Sequence, residues 1–276
     1  MAAIELQAAG KWQGRFNHYR VKVPVEALIA AGTVAVLLGG WYFIVAQQYF
    51  SEVIVPSPYK VWQSFLNIWA EGYKGISLGQ HFFESMVRLL SAFVLVVVTA
   101  VPIGLLSGYS SKIRAVFDPI IEFYRPLPPL AYYTMLVIWM GIDNESKIAL
   151  LYLAGFAPVY LSCLSGVKKI RQEYIQGAYT LGASRWQVFR HVVLPACLPE
   201  MFTGIRTALG FSYTTLVAAE MVAADSGIGW MVLDASKFLL SDIIFTGIII
   251  MGITGLAMDA LLRVAEHRLV PWKGKD

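Results

Sequence analysis

Gln176–Pro195 reads Q-G-A-Y-T-L-G-A-S-R-W-Q-V-F-R-H-V-V-L-P. It is a polar, basic island between apolar blocks, too charged to lie in hydrocarbon. Helix-forming residues flank Gly182, and Pro195 stands where the next apolar run opens. The pattern predicts a short helix, a bend at Gly182, a second short helix, and a membrane helix restarting near Pro195. Trp186, Val188 and Phe189 put apolar side chains into this basic loop. Such groups need a surface to bury against, which a merely solvated connector does not provide.

The rest of the chain is membrane-like. Of its 276 residues, 57% are hydrophobic and only 14% charged. A soluble domain is nearer 45–50% apolar and about 25% charged. The fold class expected is all-α and integral to a membrane, with room for about six spans of roughly 20 residues each. The net charge of +4 is scattered between apolar blocks, so it points to loop charges rather than a nucleic-acid face. Cys163 and Cys197 form no C-x-x-C pair. His18, His81, His191 and His267 lie far apart, so no metal site is expected.

In chain order, residues 1–25 read as a polar, basic tail rather than a cleaved signal. Trp12, Phe16 and Tyr19 recur at helical spacing, so the tail is either an amphipathic surface helix or disordered. Residues 26–265 read as one transmembrane domain, and 266–276 as a second tail. Spans are expected near Ala27–Ala46, Phe82–Gly108, Val116–Met140, Lys147–Val167, Leu198–Ala224 and Asp242–Val264. Tyr59–Ala70 and Trp230–Ser241 read as surface helices outside. The third span carries Pro119, Pro126, Pro128 and Pro129, too many for a regular helix. Broken backbone at membrane depth must face protein or water. Arg125–Leu130 therefore either lines a path or kinks a packing helix.

Charge sets the orientation. With the first tail inside, the inner segments hold Lys11, Arg15, Arg20, Lys22, Lys112, Arg114, Lys168, Lys169, Arg171, Arg185, Arg190, Arg263, Arg268, Lys273 and Lys275. The outer ones hold only Lys60, Lys74, Lys147 and Lys237. The asymmetry places both termini and the 168–195 loop in the cytoplasm.

Catalytic signatures are few in the sequence. It contains no G-x-x-x-x-G-K-[ST] phosphate cradle and no paired-carboxylate motif. An ion-coupled secondary transporter would need inverted repeats and carboxylates at mid-membrane, and only Glu220 offers one. Arg88, Arg125 and Glu220 lie within apolar segments, where each charge costs at least ~2.5–3.5 kcal/mol. Glu220 is expected to pair with an arginine. Arg125 is expected either to draw an anionic or sulfonate head along a path, with Pro128 and Glu220 beside it, or to hold helices in register.

The spacing of Gln176-Gly177-Ala178, Gly182, Val192 and Leu194-Pro195 resembles the cytoplasmic loop of ABC-importer permeases: E-A-A, three residues, Gly, nine residues, Ile-x-Leu-Pro. Gln176 and Gly177 depart from the Glu and Ala of that pattern. Asp118–Ala131 (D-P-I-I-E-F-Y-R-P-L-P-P-L-A), Leu181–Arg185 (L-G-A-S-R), Leu216–Glu220 (L-V-A-A-E) and Pro271-Trp272 resemble the nitrate/sulfonate/taurine branch, closest to taurine permeases. The likeness runs from about Pro56 to Trp272. It implies a type I permease fold in the inner membrane of a bacterium. It also implies a non-catalytic homodimer that transports by alternating access, with two separate ATPase subunits docked on the loop and a periplasmic binding protein. ATP and Mg would belong to those ATPases. The ATPase-coupling residues would be Gln176, Gly177, Ala178, Gly182, Ala183, Ser184, Arg185, Val192, Leu194 and Pro195. Nitrate, bicarbonate, alkanesulfonate and pyrimidine-type substrates all remain open within the branch.

Overall fold

Hydrocarbon offers the backbone no hydrogen-bond partner, so apolar runs of this length close their bonds internally as helix. The computed structural model describes residues 25–273, and its regular elements there are helices. They are α1 (Val25–Ala46), α2 (Pro58–Glu71), α3 (Leu78–Tyr109), α4 (Ser111–Tyr124), α5 (Pro129–Met140) and α6 (Asn144–Lys168). α7 (Gln172–Thr180), α8 (Arg185–Val188), α9 (Leu194–Ala223), α10 (Ile228–Lys237) and α11 (Ser241–Leu269) follow. Leu28–Ala46, α3, α6, Arg185–Ala223 and α11 are each long and apolar enough to cross a membrane. The surface helix expected around Trp12–Tyr19 lies outside the described residues.

The chain divides into two units, residues 1–49 and 50–276. The first contains α1, which from Leu28 to Ala46 shows no polar face, as suits a lipid-facing helix. The second contains every other helix. Its centre is α3, α6 and α9. α3 and α6 run side by side in the same direction and α9 runs against them, so Gly155 of α6 meets both Val96 of α3 and Ser212 of α9. Between membrane helices, attraction comes from close packing, and small residues permit it. Gly204 shows how close the packing is: a Cβ there would stand 2.4 Å from Ser162 Cβ and 3.1 Å from the Pro158 carbonyl. On the same helix, a Cβ at Gly210 would meet nothing within 4 Å. Gly204→Ala is therefore expected to lower the melting temperature in detergent through an overpacking cost of ~1–3 kcal/mol. Gly210→Ala should leave it unchanged or raise it. Equal melting of the two variants would contradict this packing.

The third crossing is broken, as its prolines foretold. α4 ends at Tyr124, the chain leaves helical geometry, and α5 begins at Pro129. α5 has only 12 residues, about 18 Å of rise, too little to span alone. The break packs beside Ala157, Pro158 and Leu161 of α6. Those residues lie roughly 20 Å along α6 from Asn144 at 1.5 Å per residue. The break therefore sits inside the ~30 Å hydrocarbon layer. Asp118 of α4 accepts a hydrogen bond from the Tyr160 hydroxyl of α6 at 2.7 Å, fixing the lower half of this crossing.

One end of the bundle is closed by α2 and α10. α2 turns Val61, Ser64 and Ile68 inward and leaves Tyr59, Trp62, Leu66 and Trp69 exposed. At 14 residues it is too short to span, in keeping with a surface helix. The Tyr73 hydroxyl donates to Asp234 of α10 at 2.9 Å, and Lys74 pairs with the same carboxylate. Burial and the adjacent Asp234 push the Tyr73 phenol up to about 12.

Candidate functional site

The loop singled out in the sequence is a well-formed elbow. At the end of α7, Ala183 N–H donates to Ala178 O at 3.0 Å and Gly182 N–H to Tyr179 O at 2.9 Å. These two bonds form the Schellman pattern, which needs a left-handed residue after the helix. Gly182 supplies it with φ +84°. Two residues later Ser184 opens α8 with a capping box: Ser184 Oγ accepts from Gln187 N–H, and Gln187 Oε1 accepts from Ser184 N–H at 2.8 Å. Both helix ends are thus satisfied within the elbow, and its bend is set by the backbone.

The elbow is fastened to the core helices. Tyr179 and Tyr109, on α7 and α3, bring their hydroxyls to 3.0 Å. Lys169 pairs with Glu200 of α9 at 2.6 Å. Val188 and Val193 are fully buried, and Ala178, Ala183, Phe189, Val192 and Leu194 pack half-buried against the same cluster. Gln176, Gly177, Ser184 and Arg185 face outward. Leu181 is 90% exposed, Trp186 65% and Tyr174 61%. A groove of about 400 Å³ runs beside Gly182, between Ala178 and Val192. Large apolar side chains stand exposed around this groove, at an end of the bundle too polar for lipid, which makes the elbow the candidate docking surface.

One expectation is corrected here. The membrane helix does not restart near Pro195. Arg185–Ala223 is a continuous helix with a π-turn at Phe189–Val193. Pro195 lacks an N–H, and in a regular α-helix its ring would clash with the carbonyl four residues earlier. The wider π-turn just before it provides the room, and Leu194 N–H donates five residues back, to Phe189 O. α8 and α9 are therefore joined without a break.

At the opposite end, the predicted arginine partner of Glu220 is Arg88, at 2.8 Å with both side chains almost fully buried. All five guanidinium N–H donors are used. Nε donates to Asn144 Oδ1, one terminal nitrogen to Glu220 Oε1 and the Ser226 carbonyl, and the other to Glu84 Oε2 and Ser226 Oγ. Glu220 also accepts from Ser85 Oγ at 2.7 Å and Gly229 N–H at 2.9 Å. Gly227 lies against this carboxylate at φ +115°, where a Cβ would stand 2.5 Å from Glu220. The network ties α3, α6, α9 and the turn before α10 into one knot. Glu220 is thus inside the protomer with both oxygens occupied.

Arg125 and Pro128 stand at the break in the third crossing, both exposed on the protomer. Arg125 makes no side-chain hydrogen bond or ion pair with any described residue. It borders a cavity of about 320 Å³ with Tyr124, Tyr132, Pro158 and Phe211 among its walls. The sequence reading missed a further pair of intramembrane charges. Arg206 of α9 holds Asp259 of α11 at 3.0 Å and reaches Glu266 at 3.5 Å, while Asp259 and Glu266 also pair with Arg263 and Lys273. A charge within each of two otherwise apolar runs was the available signal.

Residues 100–271 match the family described as the binding-protein-dependent transport system inner membrane component. The taurine transport system permease protein TauC of Escherichia coli K12 is 42% identical over 266 residues, covering 96% of this chain and 97% of that protein. The chain belongs to this family of ABC-importer permeases. The permease is also 31% identical over 239 residues to a putative aliphatic sulfonates transport permease protein, SsuC of Bacillus subtilis, covering 87% of this chain and 85% of that one. Its fold matches a chain of an inward-facing MetNI methionine ABC transporter with a TM-score of 0.56 at 16% identity. That match covers 68% of the permease and 92% of the other chain. The all-α, type I importer fold expected from the sequence is the fold observed. The protein is the integral membrane permease component of an ABC importer.

Proposed function

We propose that this permease imports taurine or a closely related alkanesulfonate by alternating access. The 42% identity to a taurine permease across nearly the whole of both chains carries the substrate assignment. The exposed, capped elbow at Gly182 supports the mechanism. In this reading α7 and α8 face the cytoplasm, with both chain termini on that side, and each of two permease copies receives one ATPase subunit. The ATPases bind ATP and Mg and hydrolyse the nucleotide. The permease binds neither and catalyses nothing. Closure of the ATPases pushes Gln176–Pro195, α9 follows through its unbroken helix, and the bundle re-packs. A periplasmic binding protein delivers substrate at the end closed by α2 and α10. The path passes Arg125 and Pro128, and Glu220, gripped by Arg88, fixes its outer rim.

Reconstitution into proteoliposomes with the cognate ATPase and binding protein tests this reading. Taurine uptake should need all three components and hydrolysable ATP. Uptake that continues without the ATPase, driven by an ion gradient, would contradict it.

A further inference from the structure

We propose that the cavity beside Arg125 is a transient oxyanion site that takes the sulfonate head as it crosses the membrane. The inference rests on the alkanesulfonate reading above. Three arginines lie within apolar segments, and two are fully engaged. Arg88 holds Glu220 and Glu84, and Arg206 holds Asp259 and Glu266. Arg125 alone among them has no carboxylate partner among the described residues. Asp118, two helical turns earlier, is instead committed to Tyr160. Arg125 stands beside Ala157–Leu161 of α6, about 10–17 Å from its Lys168 end at 1.5 Å per residue, and a charge at that depth is costly unless water or an anion meets it.

The surroundings suit a small oxyanion. The cavity of about 320 Å³ is lined by Tyr124, Tyr132, Leu153, Pro158 and Phe211 as well as Arg125. That is the small end of the ligand-pocket range, ~300–1,000 Å³. The Tyr124 ring lines the same wall, and its hydroxyl, buried behind it, has no hydrogen-bond partner. Guanidinium and phenol donors match sulfonate oxygens, and the apolar walls suit the two methylenes behind them. A single cation with few donors binds weakly enough to release, which a path requires.

The test uses the complete transporter in proteoliposomes with radiolabelled taurine. Arg125→Gln is expected to cut maximal uptake roughly tenfold or more, the effect of losing one charge-assisted hydrogen bond. Half-saturation, set by the binding protein, should not move. Basal ATPase activity and co-purification of the subunits should also hold. Arg125→Lys should recover much of the rate, and Tyr124→Phe should lose a smaller part. Uptake by Arg125→Gln within about twofold of wild type, a small change on this scale, would overturn the site. So would failure of Arg125→Gln to assemble, because the arginine would then be a clamp between copies. A wild-type transporter that moves no alkanesulfonate overturns the substrate reading by itself, before any variant is compared.

Discussion

Gly182→Asp leaves the permease inserted and folded but uncouples it: ATP-driven uptake falls, and the ATPase subunit is lost on purification or hydrolyses ATP without transport. The expected loss is roughly tenfold or more, the scale of a disrupted interface hot spot of about 2 kcal/mol. Two effects are distinguishable at this position. A Cβ at this position meets nothing within 4 Å inside the protomer, so the new side chain has no internal clash. It must also take φ +84°, a strain of order ~1–3 kcal/mol for most residues. Asp tolerates that region far better than a β-branched residue does. If strain were the cause, Gly182→Val would be badly impaired and Gly182→Asp only slightly. If the surface is a docking face, Gly182→Asp is severely impaired despite its milder backbone cost. Uptake and ATPase co-purification by the two variants together decide.

Arg88→Ala has the largest expected effect on stability. It strands the Glu220 carboxylate, 1% exposed, and unties the Ser226 carbonyl and Asn144. Breaking a buried pair from one side costs about 3–5 kcal/mol. For a unit of this size that lowers the apparent melting temperature by on the order of 10 °C. Glu220→Gln should cost less, since the amide oxygen can still accept from Ser85 and Arg88 while only the bond from Gly229 N–H is lost, and the loss is that of a charged hydrogen-bond partner, about 1.5–3 kcal/mol. Thermal unfolding in detergent, followed by intrinsic fluorescence, should rank wild type above Glu220→Gln above Arg88→Ala. An Arg88→Ala variant that melts with wild type would mean the knot contributes nothing to the outer end.

Much of this is legible in the sequence. The apolar runs of α3, α6, α9 and α11 announce themselves because lipid requires continuous hydrophobicity. The prolines between Arg125 and Leu130 announce a break because the ring removes a backbone donor. The bend at Gly182 was legible for the same kind of reason: its position after α7 demands a left-handed residue. Other features were not visible. The π-turn at Phe189–Val193 depends on how Pro195 is accommodated, and no local composition encodes it. Ser184-Arg185-Trp186-Gln187 does carry a capping-box spacing, a signal the sequence reading left unused. Arg206 and Asp259 lie in different helices, 53 residues apart in sequence, and only packing shows that they are one pair. Arg88 and Glu220 were both suspected, but the five-fold saturation of the guanidinium comes from turns far apart in the chain.

The central claim is that the Gly182 elbow is a cytoplasmic socket for an ATPase, and Leu181→Cys tests it most directly. The native thiols, Cys163 and Cys197, are buried, whereas position 181 is 90% exposed. In oriented membranes a charged maleimide should label Cys at position 181 only from the cytoplasmic side. Bound ATPase should block that labelling, and a short thiol-reactive linker should join the two proteins. Labelling from the periplasmic side, or full labelling with the ATPase bound, would contradict the account.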